Sequence, residues 1–169
     1  MKRYLLLSFA IALALGAVFV GGGFFQAAAK EPKVLEFDSM AGLPSAFTGT
    51  QIPIRGINGG GLPWDIGPSF GELKADGTLE VSVHRLVFAA GPNVGRNTVA
   101  SFRAIVSCLT SDGGVANMMT SPFPATLGAA SAGGGNAEIE AMLTLPQPCI
   151  APIVFVTSPG GAWFATTGN

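Results

Sequence analysis

Charge is what this chain has least of. Nine Lys and Arg and ten Asp and Glu make up 11% of the 169 residues, against roughly 25% in an ordinary soluble domain. The basic residues are few and unclustered. That excludes nucleic acid as a partner, because phosphate neutralisation needs grouped Lys and Arg. Histidine is scarcer still: His84 is the single one, so every His-dependent mechanism would rest on it. No Gly-x-Ser-x-Gly elbow accompanies it to build a Ser-His-Asp site. Cysteine is limited to Cys108 and Cys149, and two thiols with one distant imidazole are too few for a closed zinc site unless carboxylates join. No glycine run is followed by Lys-Ser or Lys-Thr, which removes a phosphate loop. The sequence offers no cofactor motif, no catalytic set and no metal set, and its reading is non-enzymatic.

One long apolar run is present, at the start. Met1-Lys2-Arg3 is basic, Tyr4 to Phe25 is uncharged, and Ala27-Ala28-Ala29 supplies small residues before Lys30, the pattern of a cleavable export signal. Residues 1–29 are therefore expected to be a signal peptide, cut before Lys30. The alternative is an uncleaved membrane anchor over residues 4–25, long enough to span a bilayer. Gly21-Gly22-Gly23 near the end of the run, each interior Gly costing about 1 kcal/mol of helix, favours cleavage. No Cys lies near the cut to accept a lipid.

The expected remainder, residues 30–169, is one domain of ordinary size. Its seven basic and ten acidic residues leave Gly, Ser, Thr, Asn and Ala to cover much of the surface. In an oxidising compartment Cys108 and Cys149 are expected to form a disulfide, pinning two strand ends together across the two sheets of the sandwich argued next.

Beyond the leader, apolar residues alternate with period two and no long helical period occurs. Leu79, Val81 and Val83 share one face of a run whose other face holds Glu80, Ser82 and His84. Ala100, Phe102, Ala104, Val106 and Cys108 share another, and Ala137, Ile139, Ala141, Leu143 and Leu145 a third, opposite Glu138, Glu140, Met142 and Thr144. Ile153 to Thr157 is apolar on both faces, as in a central strand, and Ala162 to Thr166 reads as a last strand. Val34 to Phe37, Gln51 to Arg55 and Gly71 to Lys74 complete the set. Turn signals separate these runs, Asp76-Gly77 being the clearest hairpin. Gly128 to Gly135 reads as a flexible loop. Seven or eight short strands with Gly/Pro-rich loops predict an all-β, antiparallel β-sandwich.

Four residues are candidates for ligand contact. Trp64 and Asp65 end the loop Gly56-Ile57-Asn58-Gly59-Gly60-Gly61-Leu62-Pro63, where an exposed indole would be a sugar-stacking platform; otherwise Trp64 plugs one end of the sandwich. Glu138 and Glu140 share a strand face roughly 6.5 to 7 Å apart. Paired carboxylates can hydrolyse glycosides or hold Ca²⁺, and alternating acids on the wet face of a strand also discourage edge pairing. His84 is expected to be a solvated strand histidine, and Trp163 to be core.

Phe47-Thr48-Gly49-Thr50-Gln51-Ile52-Pro53, with Gly71-Glu72-Leu73-Lys74-Ala75-Asp76-Gly77-Thr78-Leu79-Glu80-Val81, resembles the opening of the chordin-type (CHRD) β-domain. That family's later His-containing strand and closing Gly-Glu-Ile-Arg-Gly segment have no counterpart, and Cys108 and Cys149 fall outside its pattern. The resemblance implies a secreted all-β module and transfers no functional residue. The resulting expectation is an exported, non-enzymatic sandwich with a structural or binding role at the cell envelope or outside the cell, its partner an envelope glycan or protein. The alternatives are a polysaccharide-acting hydrolase and a sugar-binding module.

Overall fold

A computed structural model describes residues 31–167, so the expected leader and its cleavage site lie outside the described residues. The strands in chain order are β1 (Lys33–Phe37), β2 (Met40–Gly42), β3 (Trp64–Asp65), β4 (Phe70–Lys74), β5 (Thr78–Val83), β6 (Val87–Phe88), β7 (Arg96–Asn97), β8 (Ser101–Leu109), β9 (Val115–Met119), β10 (Phe123–Pro124), β11 (Gly128–Ala129), β12 (Ala137–Met142), β13 (Ile150–Thr157) and β14 (Trp163–Thr167). All the strand pairs are antiparallel. One sheet runs β1-β4-β5-β12. The other runs β10-β8-β13-β14-β2, with β9 also paired to β8. Two short ribbons, β11-β7 and β3-β6, complete the architecture. It is an antiparallel β-sandwich, with more strands than the seven or eight expected because many are only two or three residues long.

The period-two faces meet in the core. Leu73, Leu79, Val81, Val83 and Ile139 from the four-stranded sheet pack with Phe102, Ala104, Val106, Val154 and Val156 from the other, all at most 2% exposed. At about 1.5–3 kcal/mol per fully buried apolar side chain, this layer is the main favourable term. The Asp76-Gly77 turn is a hairpin as expected: Gly77 donates to the Lys74 carbonyl, and the Thr78 amide to the Asp76 carboxylate. Gly77 has φ +95°, and a Cβ there would overlap the Leu143 carbonyl.

β13 is buried on both sides over Ile153 to Thr157, as that unbroken apolar run predicts. Phe155 and Trp163 lie on the other face of this sheet from Val154 and Val156 and are core, as expected for Trp163; the segment after β2 covers them, where Phe47 meets Trp163 edge-on at 6.3 Å. That segment corrects one expectation. Gln51 to Arg55 is no strand; Ile54 and Ile57 bond reciprocally around Arg55-Gly56. Both central residues have positive φ, 49° and 79°, as a two-residue hairpin turn demands.

The Arg55 guanidinium then donates to the carbonyls of Ser107 and Ala151, each at 2.8 Å. The Ala151 carbonyl is free because β13 bulges between Ile150 and Ile153, at Pro152, which has no N–H to give a ladder. Gly128 to Gly135 also differs from expectation. It holds β11 and a 3-10 turn at Ala130–Ala132, and Gly134 lies so close to Gly128 that no side chain would fit between them. Gly134 and Gly135 serve close packing there, and Gly128 and Gly133 the positive φ of its turns.

Cys108 and Cys149 are bonded, with Cα atoms 5.0 Å apart. The bridge does not join the two sheets. β8 and β13 are neighbours in one sheet, and Leu109 pairs with Ile150, so Cys108 and Cys149, each the residue before its member of that pair, meet diagonally across a single strand pair.

Candidate functional site

The outer face of the four-stranded sheet is arranged in cross-strand rows. Glu36, Glu72, Glu80 and Glu140 are direct register partners on successive strands β1, β4, β5 and β12. Beside them Phe70, Ser82 and Glu138 form a second row. Alternation puts all seven on the wet face because their neighbours Leu73, Leu79, Val81 and Ile139 face the core. Together they line a groove of about 690 Å³, within the size range of small-molecule sites.

Like charges directly opposite one another destabilise a sheet, and two lysines offset part of this. Lys33 Nζ lies 2.6 Å from both Glu36 and Glu72, and Lys74 Nζ lies 3.1 Å from Glu72 and 3.2 Å from Glu80. Hydrogen bonding from Lys33, and next from Lys74, holds the Glu72 carboxyl below its ordinary value of 4.5. Hydrogen bonds to Glu36 and Glu72 raise Lys33, and those to Glu72 and Glu80 raise Lys74. Glu72 binds its proton less readily when folded, so its stabilising contribution is present at neutral pH and is lost as pH falls below 4.5. The lysine contributions are lost only at the alkaline end. Glu72→Gln is therefore expected to lower the melting temperature at neutral pH and to leave it little changed at the acid end, which flattens the acid limb of the profile; an unaltered acid limb would refute this.

In the second row the Ser82 hydroxyl donates to Glu138 Oε1 at 2.7 Å, and His84 Nε2 sits 3.1 Å from the same hydroxyl oxygen. With its proton given to Glu138, Ser82 is left to accept the His84 N–H. His84 is thus part-buried and hydrogen-bonded, not simply solvated, and its ring lies 6.0 Å from that of Phe70. Phe70 is 54% exposed.

Glu138 and Glu140 stand where the sequence puts them, on the wet face of an edge strand. Trp64 does not serve as a platform. It is 2% exposed, with the Phe164 ring at 4.0 Å and the Phe88 ring at 4.1 Å, because β3 pairs it inward against β6. Asp65 is exposed but lines a separate groove beside Leu43, Pro44 and Ala89, so the structure does not bring it to the glutamates. Sequence reasoning singled out none of Glu36, Glu72, Glu80 and Ser82 as site residues, and it missed Phe70. Its signal was its place two before Glu72 on a strand whose Leu73 faces the core. Among the described residues no group of three or more His, Cys, Asp or Glu is placed to hold a metal ion, and no helix is long and apolar enough to cross a membrane.

No protein-family model, curated protein or solved structure matches this chain.

Proposed function

We propose that this protein is an exported, non-enzymatic β-sandwich that binds an envelope glycan through the open face of its four-stranded sheet. The observation that carries the reading is the groove itself, where the exposed Phe70 ring lies beside an ordered Glu138–Ser82–His84 chain. An aromatic face takes the apolar side of a pyranose ring, and pre-oriented carboxylate, hydroxyl and imidazole groups take its hydroxyls. The leader-like residues 1–29 and the Cys108–Cys149 disulfide support export, and the chordin-type resemblance over residues 47–81 points the same way.

The direction of the hydrogen bonds supports binding over catalysis. An activated serine gives its proton to a histidine that a carboxylate orients; here Ser82 lies between the two and gives its proton to the carboxylate. The expected result is that exported protein, its intact mass beginning at Lys30, binds members of a glycan panel in calorimetry without cleaving them. Turnover abolished by Glu138→Gln or Glu140→Gln would replace the binding reading with the hydrolase one. Silence across the whole panel would remove both.

A further inference from the structure

We infer that the glycan taken by this groove carries free amines: it is a glucosamine-type polymer lying across the strands along the glutamate row. The inference rests on the glycan reading above and specifies its ligand. Strands in a sheet are spaced about 4.8 Å apart, so the four register partners offer a carboxylate at each such step over roughly 14 Å. The lysines relieve one side only. Lys33 and Lys74 bond Glu36, Glu72 and Glu80, whereas Glu140 and Glu138 have no basic partner among the described residues.

The imbalance is confined to this face. Six carboxylates line the groove beside two lysines, while the four other acids of the described residues are matched in number by four arginines elsewhere. A neutral sugar would leave the surplus charge unanswered, and an anionic one would be repelled by it. A ring stacked on Phe70 with hydroxyls to Ser82 and Glu138 places its substituents over the neighbouring glutamate row, where ammonium groups complete the pairing. A basic peptide fits less well. Side chains on one side of an extended peptide recur about every 6.8 Å, out of step with the row, and such a peptide gains backbone hydrogen bonds at a sheet edge, not on its face.

The test is calorimetric titration of the exported protein with glucosamine oligomers, with N-acetylated oligomers of equal length, and with oligolysine, each at low and high salt. Glucosamine oligomers are expected to bind about tenfold more tightly than the acetylated ones, a margin that high salt erases. Glu140→Gln should cut that margin about threefold. Phe70→Ala should weaken both oligomers about tenfold. Both side chains are exposed, and the wild-type comparison needs no variant at all. Equal or tighter binding of the acetylated oligomers would overturn the amine assignment and leave the glycan reading standing. Oligolysine binding more tightly than either sugar would overturn both, and no binding of either sugar would overturn the amine assignment and leave the glycan reading to the wider panel.

Discussion

Trp64→Ala is expected to cost about 3–5 kcal/mol, much of the 5–15 kcal/mol that holds a domain together. The indole sits against Phe88 and Phe164, and Phe102 meets it edge-on at 6.5 Å. Its loss therefore removes a shared wall from two elements, the β3-β6 ribbon and the six-stranded sheet. The backbone cannot follow inward to fill the space, because the Trp64 carbonyl already abuts Gly42 so closely that no Cβ would fit there. Urea denaturation should show a large fall in midpoint, and Trp64→Phe a smaller one. The folded fraction of either variant should bind glycan as wild type does. A stable Trp64→Ala protein that had lost glycan binding would show that the indole contacts ligand after all.

The second large effect is expected at the disulfide. Cross-linking residues 41 positions apart is worth about 4 kcal/mol in the chain-entropy model, and removal of a bridge costs about 2–4 kcal/mol in practice. β8 and β13 remain paired through five further register partners from Ser107–Ile153 onward, so the reduced protein should stay folded with its melting temperature lowered by about 5 to 15 °C. The double variant Cys108→Ala, Cys149→Ala should behave as the reduced form does. Freshly exported protein should be lighter than its reduced form by the mass of one hydrogen pair. Thiols that react readily with maleimide in that material would refute the bridge.

The strands legible in the sequence are those whose two faces differ. Leu79, Val81 and Val83 against Glu80 and Ser82 announced β5, and Ile139 between Glu138 and Glu140 announced β12. β13 was legible for the opposite reason, an apolar run wide enough for a strand covered twice. β9 was missed because Val115-Ala116-Asn117-Met118-Met119 shows no clean alternation, although it follows the Asp112-Gly113-Gly114 turn by hairpin logic. Gln51 to Arg55 misled because Ile52 and Ile54 alternate correctly while Arg55 takes a left-handed conformation that no pattern of hydropathy records.

The site was half visible. Glu138 and Glu140 could be placed on a wet face, but which residues stand opposite them depends on strand order, and order is a property of long-range pairing. The glutamate row exists only because β12 joins β5 and β1 joins β4. Trp64 could be read either as a ligand platform or as a buried plug for a related reason: a Gly-rich loop ending in Trp-Asp does not say which until its partner Phe88 is known, and its burial decides for the plug.

The strand order of the larger sheet also sets a timetable. β2, near the start of the described chain, has only β14 as its sheet partner, and β13 is enclosed only once β14 has been added. The sandwich cannot close before β14 has been made. It must wait for Trp163 to Thr167, and pairings between such distant segments form slowly. If the protein is exported as proposed, that delay would help it cross a membrane unfolded, since β2 has no sheet partner until β14 arrives. It also makes the final strand the point of greatest vulnerability, where clipping a few residues before Trp163 would undo a sheet whose other members are intact.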